Sequence, residues 1–475
     1  MLISKQIINK KNIGISIILI VLFSLWNYQH PAEISLNAWH TFVIFIVTII
    51  GLILNPLPMG VITLLALLGC ILTSAIPLKV ALSGFSEGIV WLVVCAFFIA
   101  RTVINTGLAT RIAYLLISKF GKSPIGVAYS IIFTECIIAP MIPSAASRGG
   151  GIIYPIAKAT IEGYNSQLLH AKQKSIGSFF TMLCLHSNII TSAMFLTAMA
   201  GNPVAQKLAI SCGIDITWFN WAYGAVVPGF ISLLLLPFII RIFCPIPKDL
   251  DNQIIIEQAK EGIRKLGKMS KNEIITACTF VLLISLWVSE QYLGISSTAT
   301  AMLGVCILLL FGVLNWNDVI SEKSAWDIFI WFAILVTIAN ALSEQKVTLW
   351  MGDIISGSLS GYSPIVTGAI VCLGLFFGHY MFASITVYFT AMYGIFLKTF
   401  LDIGLPPLPS AYTLILVIML SSGFTHYGIS SAPVYFSGGY LTVKEWWQKS
   451  FCITIGVGVV WFVMCMIWWD IIGWL

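Results

Sequence analysis

The sequence predicts an all-α polytopic membrane protein with about eleven transmembrane helices and two re-entrant hairpins, set out as an inverted repeat. Three observations carry this reading. Of the 475 residues, 59% are hydrophobic and 9% charged, and the mean hydropathy is +0.96; a soluble domain has no way to hide that much apolar area. The apolar residues gather in runs of membrane-crossing length, separated by turns that proline marks. Two further runs, about 240 residues apart, are broken at their centres by small hydroxyl residues, in PSAASRGGG around Ser144 and FASITVYFTAMY around Ser384. Backbone that leaves the helix within a bilayer must be buried in protein or line a watery cavity, because lipid cannot satisfy the freed N–H and C=O groups. A matched pair of such breaks points to a central binding site on a two-fold pseudosymmetric frame.

From the N-terminus, Lys5, Lys10 and Lys11 precede the apolar run 13–26, which lacks an A-x-A-like cleavage site and reads as a retained helix within an N-terminal unit, 1–38. Spans follow at 39–54, 60–76 and 89–104, with Pro56, Pro58 and Pro77 at the turns. The first broken run, 124–159, has length for two passes and reads as a hairpin; spans 176–200 and 222–243 close a first repeat, 39–243. The polar linker 244–273 reads as a solvated amphipathic helix. The second repeat, 274–475, holds spans 274–293, 299–314 and 328–342, the broken run 364–401, and spans 412–425 and 452–472. Cytoplasmic segments in this scheme carry Arg111, Lys119, Lys122, Lys172, Lys174 and the charged linker, against little beyond Lys79 and Lys207 in the early external loops. The bias puts the N-terminus and first hairpin on the cytoplasmic side, and the second hairpin and C-terminus outside. Trp446, Trp447, Trp468, Trp469 and Trp474 gather near helix ends as interface anchors, and Glu87, Arg101 and Asn105 read as boundary residues.

The net charge of +6 is informative through where the basic residues sit rather than through its total, and it implies no nucleic-acid partner. The 11 cysteines are scattered, with no C-x-x-C pair and no histidine cluster, so they read as reduced core residues and no metal or cofactor is expected. With no H-E-x-x-H and no G-x-S-x-G, an intramembrane enzyme is not expected either.

Arg148 is the most consequential residue, since a guanidinium within an apolar hairpin is costly unless an anion offsets it. A bound carboxylate is the natural bidentate partner; an ion pair with Glu135 and snorkelling to the cytoplasm are the alternatives. Gly149, Gly150 and Gly151 serve either close helix packing or exposure of backbone N–H groups. In HSNIITSAMFLTAMAGNP, His186, Asn188, Thr191, Ser192 and Thr197 precede Pro203 and predict an interrupted helix; THYGISSAPVYF, with Gly428 and Pro433, is its counterpart and offers Thr425, His426, Ser430 and Ser431. His186 and His379 read as structural.

PSAASRGGGIIYPI, HYMFASITVYFTAMY and FTHYGISSAPVYFSGGYL resemble, in order and spacing, segments of the divalent anion:sodium symporter family, over nearly the whole chain. The likeness is nearest to the branch of plastid 2-oxoglutarate/malate translocators and bacterial citrate/succinate or tartrate/succinate antiporters. It implies a secondary transporter that exchanges di- or tricarboxylates (2-oxoglutarate, malate, succinate, citrate) across a bacterial inner membrane. It further implies a homodimer in which a scaffold domain, the first four helices with the seventh to ninth, stays fixed while a transport domain slides as an elevator. In the family, Ser-Asn-Thr triplets at the hairpin tips hold substrate carboxylates and help form sodium sites. Here they read Ser144-Ala145-Ala146 and Ser384-Ile385-Thr386, which removes oxygen ligands and makes a sodium-coupled dicarboxylate symporter the alternative rather than the leading reading. The carried-over substrate residues are Ser144, Ser147, Arg148 and Gly149 at the first tip and Ser384, Thr386 and Tyr388 at the second, where Tyr388 stands at a position often held by His in antiporter-like relatives. Thr191 and Ser192 from the first interrupted helix and Thr425, His426 and Tyr427 from the second complete the set.

Overall fold

Residues 2–167, 170–247, 250–359, 361–382 and 384–475 are described by the computed structural model; the side chains of 2–11 and 170–172 lie outside the description, and with them Lys5, Lys10, Lys11 and Lys172 of the charge pattern. The described residues form helices joined by turns and short extended segments, with no strand among them. The first half runs α1 (Leu2–Trp26), α2 (Leu36–Leu54), α3 (Met59–Leu72), α4 (Gly88–Thr106), α5 (Leu108–Phe120), α6 (Pro124–Ile138), α7 (Tyr154–Asn165), α8 (His170–Met194), α9 (Gly201–Ser211) and α10 (Trp218–Phe243). The linker forms α11 (Gln253–Leu266). The second half runs α12 (Lys271–Val288), α13 (Ser297–Leu310), α14 (Lys323–Glu344), α15 (Val347–Ser358), α16 (Pro364–Gly378), α17 (Gly394–Asp402), α18 (Pro407–Ser421), α19 (Ala432–Phe436) and α20 (Val443–Ile471).

Nine helical stretches among the described residues are long and apolar enough to cross a membrane, and four shorter apolar helices join them. Two of the nine, Pro124–Met141 and Pro364–Met381, are the first arms of the broken runs; the others, with the four shorter helices, coincide with the eleven spans read from the sequence. The span expected at 176–200 ends earlier, at Met194, although the chain stays apolar beyond it. Asn202 explains the stop: its side-chain amide donates to the carbonyls of Ser192 at 2.7 Å and Phe195 at 2.9 Å, groups that the lost helical turn leaves free. Helix starts follow cap chemistry. Ser123 Oγ accepts from the Gly126 N–H at 3.0 Å ahead of Pro124, and Ser270–Glu273 and Thr442–Glu445 form capping boxes at α12 and α20.

The hydropathy runs did not reveal α5, α9 and α15. Both α5 and α15 follow a left-handed residue, Gly107 (φ +76°) and Lys346 (φ +63°), that turns the chain sharply out of α4 and α14. The linker helix lays Ile255, Ile256 and Ala259 against the protein and packs on α5 and α7, and Arg111 of α5 holds its far end through Glu273 (2.7 Å) and the Gly267 carbonyl (2.8 Å).

Two packed groups result. In one, α2 lies on α3, α3 on α14, α14 on α4, α4 on α13 and α13 on α12. Arg101 of α4 pairs within it with Asp318 (3.2 Å) and Glu322 (3.1 Å). The other group is built around α8, whose residues 176–194 are all buried, with α6, α7, α10, α18 and α19 against it and α20 against α10.

Candidate functional site

Each broken run is built the same way. A single 3-10 turn (Ala139–Met141; His379–Met381) leads into extended backbone, a serine caps a one-turn helix (Ala145–Arg148; Ile385–Tyr388), a π-turn follows (Gly149–Ile153; Phe389–Tyr393), and α7 or α17 continues. Ser144 and Ser384, Arg148 and Tyr388, Tyr154 and Gly394 all correspond at one offset of 240 residues. Ser144 Oγ accepts from the Ser147 N–H at 3.1 Å and from Ser147 Oγ at 3.0 Å; Ser384 Oγ accepts from the Val387 N–H at 3.5 Å. Ser144, Ala146, Ser147 and Ser384 are only half-buried, so both tips present groups to open space.

Arg148 points the other way. Its side chain is 0% exposed, and Nε donates to Glu135 Oε1 at 2.8 Å. Nη1 donates to the carbonyls of Ile142 (2.5 Å) and Ala198, and Nη2 to Ser192 Oγ at 2.6 Å. Four of the five guanidinium N–H groups are thus engaged within the protein. Of the partners weighed for Arg148, the structure shows Glu135. The same Glu135 oxygen accepts from Asn188 Nδ2 at 2.7 Å and Thr191 Oγ1 at 3.2 Å, and Ser431 Oγ donates to Asn188 Oδ1 at 2.9 Å. Arg148, Glu135, Asn188, Thr191, Ser192 and Ser431 therefore form one buried network joining the first tip, α8 and the second break. At the second tip the equivalent bond is neutral: Tyr388 Oη donates to the Leu375 carbonyl at 2.6 Å, and residues 135 and 375 correspond at the same offset. Tyr388 is buried in this bond and packs as core.

The two breaks tie both tips down. Thr197 Oγ1 donates to the Pro140 carbonyl at 2.9 Å, and the Ala200 N–H to the Pro143 carbonyl at 3.1 Å, while Gly201 lies against Phe389 so closely that an added Cβ would come within 2.9 Å. In the second break His379 Nε2 bonds the Gly428 carbonyl at 2.9 Å and Tyr427 Oη the Tyr380 carbonyl at 3.3 Å. A Cβ at Gly149 would meet Tyr435 Oη at 2.6 Å, so this glycine serves close packing of the first tip on the second break. His426 and Tyr427 are half-buried; Thr425 is buried with Oγ1 lacking a partner among the described residues. His186 bonds Ser450 at 3.1 Å in the interior. Glu87, read as a boundary residue, accepts from Lys207 of α9 at 2.9 Å and from Asn340 of α14 at 3.1 Å.

Residues 9–475 match the family described as the sodium:sulfate symporter transmembrane region. The chain belongs to this family. As a sodium:sulfate symporter-family member it is 40% identical to YflS of Bacillus subtilis over 94% of each chain. It is 36% identical to the chloroplastic dicarboxylate transporter 1 of Spinacia oleracea over 94% of this chain and 79% of that one, and 31% identical to the L-tartrate/succinate antiporter of Escherichia coli over 88% and 90%. The crystal structure of the Alcanivorax borkumensis YdaH transporter shares the fold with a TM-score of 0.51 at 10% identity, covering 83% of this chain and 87% of that one. The protein is thus an all-α polytopic membrane transporter and not an enzyme.

Of the residues expected at the site, the tip serines, His426 and Tyr427 keep open faces, whereas Arg148, Gly149, Thr191, Ser192 and Tyr388 are turned into the packing beneath them. Glu135 was weighed in the sequence as a partner of Arg148 alone; its further bonds to Asn188 and Thr191, Asn202 as the stop of α8 and Tyr435 against Gly149 went unrecognised.

Proposed function

We propose that this protein exchanges di- or tricarboxylates of the 2-oxoglutarate, malate, succinate and citrate class across the bacterial inner membrane. The observation that carries the reading is a pair of hairpin tips built alike at one 240-residue offset yet bare of side-chain oxygen at Ala145, Ala146 and Ile385. A sodium ion needs several hard oxygen ligands, and these positions remove them. Relatives named dicarboxylate transporter and L-tartrate/succinate antiporter support the substrate class and the exchange.

In this reading the hairpins re-enter from opposite faces, the N-terminus is cytoplasmic and the C-terminus external, and two copies form a homodimer. The group around α8 moves as an elevator past the group of α2–α4 and α12–α14. Substrate carboxylates are met by Ser144 and Ser147 at one tip and Ser384 and Thr386 at the other, where one-turn helices also aim N–H groups, together with Thr425, His426 and Tyr427 of the second break. Arg148 acts through position: Glu135 offsets its charge, and with Gly149, Thr191, Ser192 and Tyr388 it holds the tips in register.

Uptake of labelled 2-oxoglutarate, malate, succinate and citrate into proteoliposomes tests this. Uptake only into preloaded vesicles, indifferent to sodium, is expected. Uptake into empty vesicles that rises with an inward sodium gradient would establish the sodium-coupled alternative, with backbone carbonyls of the breaks as ligands.

A further inference from the structure

One histidine in the second break is oriented from outside it. Trp447 of α20 donates its indole Nε1–H to His426 Nδ1 at 3.3 Å. An indole nitrogen only donates, and neutral imidazole carries one donor and one acceptor nitrogen, so Nδ1 is the acceptor and the proton rests on Nε2. Nε2 makes no hydrogen bond among the described residues, and the residue is only half-buried. Phe436 holds the ring at 4.8 Å between centroids, and Tyr427 meets it edge-on at 5.2 Å. Trp447 also lies against Tyr380 of the second tip at 5.6 Å, whose carbonyl receives the Tyr427 hydroxyl. One indole thus touches the second tip and the second break together.

We propose that Trp447 is a positioning residue for substrate recognition: it locks His426 in the Nε2–H tautomer, so that the break offers a carboxylate a donor and never a lone pair. The proposal rests on the reading that His426 faces substrate, and it moves Trp447 out of the class of interface anchors where the sequence placed it. The chemistry follows from the sign of the partner. Nε2–H donates to a carboxylate, whereas an unprotonated Nε2 repels it, so freeing the tautomer dilutes the competent form.

The test is a double-mutant cycle read as a split between KM and maximal rate in proteoliposomes. W447F keeps an aromatic ring and removes the donor; it is expected to raise KM about three- to tenfold, a part of the loss of one hydrogen bond to a charged group, at unchanged maximal rate. H426Q carries its N–H on an amide whose protonation does not depend on Trp447, and its own KM sets a second baseline. On that background W447F is expected to change KM by less than about twofold. An equal rise on both backgrounds, or a fall in maximal rate at constant KM, overturns the proposal, since a merely structural tryptophan acts regardless of residue 426. A 15N spectrum of histidine-labelled purified protein, with His426 assigned by its absence in H426Q, decides the tautomer independently of transport. The Nε2–H form is expected; the Nδ1–H form or an even mixture in the wild type refutes the idea. Failure of the wild type to take up any of the four carboxylates would instead remove the functional reading, and leave the spectrum to report on Trp447 alone.

Discussion

Arg148 and Glu135 are both 0% exposed and neutralise each other, so the cost of removing one falls on the other. A buried charge stripped of its partner costs about 3–5 kcal/mol, more than most single substitutions. R148Q and E135Q are each expected to lower the melting temperature of the purified protein sharply, and the double substitution to recover a good part of the loss. A variant R148Q that melts like the wild type yet loses uptake would return Arg148 to the substrate. Thr386 makes the opposite case. Its carbonyl is engaged by Thr390 at 2.9 Å while its hydroxyl holds no partner among the described residues, so T386V is expected to weaken carboxylate binding by about 1–2 kcal/mol with little change in stability. Calorimetric titration checks this, and equal affinity would make the second tip a packing element. The sequence singled out Arg148 correctly as a charge needing an anion. Glu135 stood as an alternative to a bound carboxylate, and the choice between them was not legible, because a spacing of 13 residues places Glu135 beside Arg148 only once the chain turns back at the tip.

At the scale of elements, the eleven spans were legible because hydropathy averages over a whole helix, and the breaks were legible because Ser, Gly and Pro interrupt apolar runs. The end of α8 was not, since the residues after Met194 remain apolar and only Asn202 reveals the stop. The arms α5 and α15 were missed for a related reason: a helix lying along a protein surface has no long apolar run to betray it. The second break turns on Gly428, where an added Cβ would come within 2.5 Å of the Ser422 carbonyl and 2.9 Å of both His379 Nε2 and Thr425 Oγ1. Because one of these neighbours is backbone, G428A must move the break, and a loss of about 1–3 kcal/mol with impaired uptake is expected. Gly458 in α20 offers the control. Its Cβ would meet Leu420 at an ordinary 3.6 Å, so G458A should melt at or slightly above the wild type. Equal behaviour of the two variants in a thermal melt would mean that the break repacks freely.

At the scale of the whole molecule, α9 packs on the second tip and on α18 of the α8 group, and an ion pair joins it to the other group: Lys207 of α9 with Glu87 at the head of α4, where Asn340 of α14 also donates. Both side chains are about a quarter exposed, so the pair contributes little to stability and its interest is geometric. If the α8 group slides as a body, Lys207 leaves Glu87 in every cycle; if only the tips open, the pair never parts. Replacing both residues by cysteine in a background lacking the accessible cysteines, and joining them with a short reducible dithiol cross-linker, separates the two motions. Exchange is expected to stop on cross-linking and to return on reduction, while the single-cysteine variants treated alike keep working. Transport at full rate through linked protein would confine the motion to the hairpin tips, and the two-group packing would then be architecture alone.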